Sequence, residues 1–124
     1  MLSEATVAAL RDIGYHIALA NNFVSGSDLA TFRDDLRTFY AVTRCLEIIS
    51  EASRRLPDEL KARHPSIAWK NMAAAGNVYR HDYEDVAVTQ VWEAVQLALP
   101  PLRVVIEREL AATGDPPHPT NPSG

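Results

Sequence analysis

Leu36, Phe39, Val42, Leu46, Ile49, Ser53 and Leu56 recur at steps of three, three, four, three, four and three, the period of one face of an α-helix and not that of a β-strand. A stripe of this length predicts a long amphipathic helix, and such a helix persists in water only if other elements cover its apolar side. The rest of the chain offers those elements with the same period. Val7, Leu10, Ile13, Ile17 and Ala20 follow Ser3 and Glu4, which suit a helix start, so a helix is expected over about residues 4–21. Ser25-Gly26-Ser27-Asp28 reads as loop and cap, with a short helical turn from Asp28 leading into the long helix. Pro57 stops that helix and suits the first turn of a short one through Leu60 and Lys61; Pro65-Ser66 then caps a fourth, beginning near Ile67 and ending near Tyr79. A last stripe, from Val88 through Val91, Trp92, Val95, Leu99, Leu102, Val105 and Ile106 to Leu110, runs across Pro100-Pro101, which predicts a kinked pair of helices. No alternating strand pattern of useful length and no internal repeat interrupts this. The expectation is an all-α, up-down bundle of four to five helices around two long antiparallel ones, over residues 1–112, followed by a Pro-rich extended tail over 113–124.

One bundle of 124 residues has room for a single core and excludes an enzyme with separate cofactor and substrate lobes. A formal charge of −4 argues against nucleic-acid binding through a generally basic surface, while leaving room for a local cationic cleft. The single cysteine, Cys45, has no disulfide partner in the chain and lies in a helical pattern, where it reads as buried filler. No apolar run reaches the ~18 residues of a membrane span and no export leader is visible, so a cytoplasmic protein is expected.

Chemistry concentrates in Gly76-Asn77-Val78-Tyr79-Arg80-His81-Asp82-Tyr83-Glu84-Asp85, which gathers five ionisable groups and two tyrosines around a helix end. A histidine there exchanges protons near neutral pH, and an adjacent guanidinium is a permanent cation suited to phosphate. The plainer alternative has Arg80 and His81 capping carbonyls at a helix C-terminus while Asp82, Glu84 and Asp85 favour the start of the next helix.

Several short elements in a fixed order carry a resemblance. From Asp12-Ile13 they run through Ala41-Val42-Thr43-Arg44-Cys45-Leu46-Glu47-Ile48-Ile49-Ser50-Glu51-Ala52, Leu56-Pro57-Asp58-Glu59-Leu60, Pro65-Ser66-Ile67-Ala68-Trp69, Gly76-Asn77, His81-Asp82-Tyr83 and Leu99-Pro100-Pro101-Leu102. With this order and spacing the chain, over about residues 9–110, resembles the HepT-like family of the HEPN superfamily. The resemblance implies a HEPN-like homodimer acting as the toxin of a bacterial toxin–antitoxin pair, a metal-independent RNA endonuclease that uses no cofactor. It also implies a small nucleotidyltransferase antitoxin as partner, which attaches AMP to the tyrosine of the His-x-Tyr element. Carried over, His81 is the proton-transfer residue, Asn77 a positioning residue on the preceding helix, and Tyr83 the modified tyrosine. The RNA 2′-hydroxyl attacks the adjacent phosphate, and a cation stabilises the phosphorane.

The family pattern supplies that cation from an arginine separated from the histidine by four to six residues, but the corresponding positions here are Ala74, Ala75 and Gly76. Lys70 lies ~16 Å upstream along a continuous helix. Arg80 reaches a phosphate at His81 only if the chain has left the helix there, because adjacent helical residues point ~100° apart. Three arrangements stay open: Arg80 has the role, a partner protomer's arginine supplies it, or the protein keeps the dimer and the transferase contact with little nuclease activity. The last is the alternative from another class, a noncatalytic helical interaction protein that binds a nucleotidyltransferase.

Other residues carry plainer expectations. Glu47 and Glu51, at i and i+4, lack a matching His or Asp set for a metal site, and Glu51 is expected to face inward, paired with an arginine or with backbone donors of the His81 loop. Trp69 and Trp92 sit on apolar stripes and read as core. His16 reads as a satisfied or half-exposed histidine, and His64 and His118 as loop residues without a partner pattern.

Overall fold

A computed structural model describes residues 2–78 and 85–114, with the backbone alone at 75–78 and 85. All regular structure among these residues is helical: α1 (Glu4–Val24), α2 (Leu29–Asp34), α3 (Leu36–Arg54), α4 (Asp58–Ala62), α5 (Trp69–Val78), α6 (Asp85–Glu93) and α7 (Leu99–Ala112), with α6 and α7 joined by a π-helical stretch, Ala94–Ala98.

Side-chain caps set the starts. Ser3 accepts from the Thr6 amide at 3.1 Å and opens α1. Asp28 accepts from the Thr31 amide at 2.8 Å and opens α2. Asp35, the residue between α2 and α3, accepts from both the amide and the hydroxyl of Thr38, and these bonds hold its carboxyl below the ordinary aspartate value. Gly26 adopts φ of +80°, a left-handed conformation that lets the chain turn out of α1. The first helix runs three residues beyond the expected end, to Val24, whose side chain is buried.

The α1 and α3 stripes face each other and α7 covers the remaining side of α1. Gly14 of α1 sits directly against Ile106 of α7, where a Cβ would meet the Ile106 Cγ2 at 3.4 Å. The fully buried side chains Leu10, Ile13, Ile17, Val42, Ile49, Leu102 and Ile106 come from these three helices. Phe32, the buried residue of α2, plugs the gap toward α6, with ring centroids 5.4 Å from Trp92 and 6.1 Å from Phe39.

The last stripe forms the two expected helices, α6 and α7, on either side of a π-helical stretch. The turn before the two prolines widens: the Leu99 amide bonds to the Ala94 carbonyl, five residues back. Pro100 and Pro101 have no N–H to give and crowd the preceding turn; the wider i→i−5 turn relieves the crowding, and helical structure runs without a break from α6 into α7. The prolines then occupy the first turn of α7, the part of a helix that best tolerates a residue without an N–H. At its far end Thr113 donates its hydroxyl to the Leu110 carbonyl and Gly114 takes φ of +80°; residues 115–124, most of the expected tail, lie outside the described residues.

Candidate active site

The segment carrying the chemistry joins α5 to α6. Arg80, His81 and Tyr83 lie outside the described residues; Asn77 stands on the last turn of α5, its side chain likewise outside them. α3 packs against both α5 and α6, so one helix bears both ends of the connection.

The side of α3 that meets α5 is polar. Thr43, Glu47, Ser50 and Arg54 follow one another at steps of four, three and four, one stripe of the helix. Ser50, 1% exposed, donates its hydroxyl to the Ala73 carbonyl of α5 at 2.7 Å. Arg54 donates from Nη1 to the same carbonyl at 2.5 Å. Two side chains of α3 thus fix one backbone oxygen of α5, a turn before Asn77. Thr43 is buried, and its hydroxyl has no hydrogen-bond partner among the described residues. Glu47 is half-buried, whereas Glu51 is exposed. The expected inward-facing Glu51 is therefore corrected: position 51 falls one step off the polar stripe, and its carboxylate remains in water.

The following residue points elsewhere. Arg55 reaches α1 and pairs with Asp12 at 3.2 Å, so the two consecutive arginines that end α3 tie it to different helices. Both charges also suit the negative end of the helix dipole.

A second polar centre went unforeseen in the sequence. Glu109 of α7, 7% exposed, accepts from Arg63 at 2.9 and 3.3 Å and lies 2.6 Å from His64 Nε2. Burial pushes its carboxyl up, but the bonds from Arg63 and His64 outweigh that and hold it below the ordinary glutamate value. His64, expected to be an unpartnered loop residue, is thus the link between the α4–α5 connection and α7. The available signal was Arg63-His64 immediately before Pro65, a pair of donors at a fixed turn, although their acceptor lies 45 residues away. Trp69 closes the same connection by donating its indole N–H to the carbonyls of Lys61 and His64, both at 3.1 Å. It packs partly buried against the core, as Trp92 does. These contacts fix the start of α5; Ser50 and Arg54 fix its middle.

The other weighed residues behave plainly. His16 is half-exposed, with Nδ1 2.8 Å from the Asp12 carbonyl. Cys45 is buried, which pushes its thiol up to about 11 and leaves it protonated at neutral pH.

Residues 13–109 match the sequence profile of the family described as "Ribonuclease HepT-like". A protein of Thermococcus cleftensis named "Probable ribonuclease HepT" is 36% identical over 99 residues, covering 80% of this chain and 90% of the relative. "Putative RNase MJ0125" of Methanocaldococcus jannaschii is 31% identical over 101 residues, 82% of this chain and 87% of its own length. "Putative RNase TTE0752" of Caldanaerobacter subterraneus is 31% identical over 87 residues, 70% and 78% of the two chains. No solved structure gives a significant match. With the family profile spanning most of an all-helical chain and relatives aligned over most of their own length, the chain belongs to the HepT-like ribonuclease family.

Proposed function

We propose that this chain is the toxin of a toxin–antitoxin pair and cleaves RNA without a metal ion, at a site built on the connection between α5 and α6. What supports this reading is the sequence position of the His81-x-Tyr83 element: it follows α5, whose first residue, Trp69, is bonded to the α4–α5 connection and whose middle is pinned to α3. A proton-transfer residue works only when held in register with its substrate, a demand that an anchored helix ahead of it in the chain favours. Relatives named as ribonucleases agree with the chemistry.

In this mechanism the RNA 2′-hydroxyl attacks the neighbouring phosphorus, the bond to the 5′ oxygen breaks, and the products are a cyclic phosphate and a free 5′-hydroxyl. His81 takes up or delivers the proton and Asn77 positions the phosphate. The working unit is a cytoplasmic homodimer. Val86, Leu97 and Val104 leave apolar surface on α6, α7 and the stretch between them open to solvent, which a second copy would cover. No helix among the described residues is long and apolar enough to cross a membrane. A nucleotidyltransferase antitoxin silences the site by attaching AMP to Tyr83, adding a bulky anion where RNA would enter.

Cleavage of RNA in EDTA by the natural chain, compared with His81→Ala, tests this. Cleavage that His81→Ala abolishes is expected. Equal, negligible cleavage by both across a range of RNAs overturns it in favour of the noncatalytic alternative, a helical interaction protein that binds the transferase, to which the absence of a basic residue at 74–76 would then belong.

A further inference from the structure

In the sequence pattern, α5 itself brings a cation to the turn before the histidine; here that turn carries Ala74, Ala75 and Gly76. The structure brings a cation to the same turn from another helix. Carbonyl groups of an α-helix point toward its C-terminus, so a donor bonded to the Ala73 oxygen lies beside the turn that holds residues 74–77. The Arg54 guanidinium is that donor. Arg55, Arg63 and Arg103 are each paired with a carboxylate, which largely neutralises them. Arg54 instead bonds a neutral carbonyl, its side chain is exposed, and no carboxylate among the described residues pairs with it. A guanidinium has five N–H donors in a rigid fork; one bond to Ala73 orients the group and leaves the others for an oxyanion. Ser50 shares the carbonyl and steadies it.

We propose that Arg54 is the phosphate-binding cation of the ribonuclease site, supplied across the α3–α5 interface in place of an arginine on α5. The proposal rests on the ribonuclease reading above, and it assigns Arg54 direct contact with the RNA phosphate that is attacked, where its charge increases in importance as the phosphorane forms.

Two measurements on the full chain separate this role from that of a strut. The first is cleavage of a fluorescein-labelled single-stranded RNA of mixed sequence by the parent, Arg54→Gln, Arg54→Lys and Ser50→Ala. Arg54→Gln is expected to lose ~10²–10³-fold in rate, the usual effect of removing one charge-stabilising donor. Arg54→Lys should restore part of it, since a point charge replaces the fork. The second is the salt dependence of affinity for the same RNA, measured in a His81→Ala background so that no cleavage intervenes. There Arg54→Gln should flatten the slope of log K against log salt by ~0.7, one phosphate contact on a single strand. Ser50→Ala, which breaks a bond to the same carbonyl without touching charge, should leave the slope unchanged. If Arg54→Gln cleaves like the parent, or if it and Ser50→Ala lose activity equally with no change in slope and no rescue by lysine, Arg54 is a strut and the proposal falls while the ribonuclease reading stands. If the parent neither cleaves nor binds RNA, the ribonuclease reading fails first and takes Arg54's role with it.

Discussion

Replacing Glu109 by Gln keeps the size of the side chain while removing its charge and one of its two acceptor oxygens, which makes it a probe of the contact between α7 and the α4–α5 connection. The Glu109 and His64 side chains are 9% and 14% exposed and 2.6 Å apart, so the bond between them is shielded from water. A hydrogen bond to a charged group in such a setting contributes ~1.5–3 kcal/mol. Arg63 is about half in solvent and adds orientation more than energy, so it is left out of the sum. Glutamine retains one acceptor, which brings the expected loss to ~1–2 kcal/mol, a fall in Tm of about 4–8 °C for a chain of this size. The sign of the pH dependence follows from the direction of the shift. The folded carboxyl titrates below its ordinary value of 4.5, so the charge stabilises the fold fully above that pH and less as pH falls through the folded value. Thermal melts followed by circular dichroism should show a clear gap between parent and Glu109→Gln at pH ~7 that narrows by pH ~3. A gap of the same size at both pH values would mean that packing and not charge is lost, and no gap at pH ~7 would mean that α7 does not depend on the clasp.

Three further perturbations test other parts of the fold. Phe32→Ala removes a fully buried ring that touches Phe39 and Trp92, and denaturant titration should show a loss of ~3–5 kcal/mol, a large share of a domain's stability. Gly14→Ala adds a Cβ at ordinary contact distance from Ile106 inside a helix, so it should stabilise by ~0.5–1 kcal/mol in the same titration; destabilisation would mean that α1 and α7 cannot give by a few tenths of an ångström. Cys45 should resist a thiol reagent in the folded protein at neutral pH and react fully once denaturant is added, because burial holds the thiol protonated up to about 11.

The fold was legible because its helices announce themselves locally. The stripes of α1 and α3 follow from spacing alone, and Ser3, Asp28 and Asp35 cap helix starts through bonds to residues three positions on. The π-helical stretch was not legible. Pro100-Pro101 signals a disturbance, but whether the turn before them widens depends on what packs against Val95 and Leu99, both buried. Glu109 was missed for a related reason: on the α7 pattern it reads as one more charged residue, and only the tertiary fold places Arg63 and His64 against it.

The same distinction bears on the site. A motif that names an arginine separated from a histidine by four to six residues describes one way of putting a cation beside a phosphate, the way that stays within a single helix. Helices in contact lie 8–10 Å apart, and an arginine side chain spans most of that gap, so a neighbouring helix can deliver a guanidinium to the same turn with no trace in the local sequence. Ser50 and Arg54 both grasp Ala73, one turn before Asn77. On the proposal made for Arg54, the small residues at 74–76 are then not a lost cation. They are the smooth side of a turn whose charge arrives from α3, and restoring an arginine at position 76 in an Arg54→Gln background should recover cleavage.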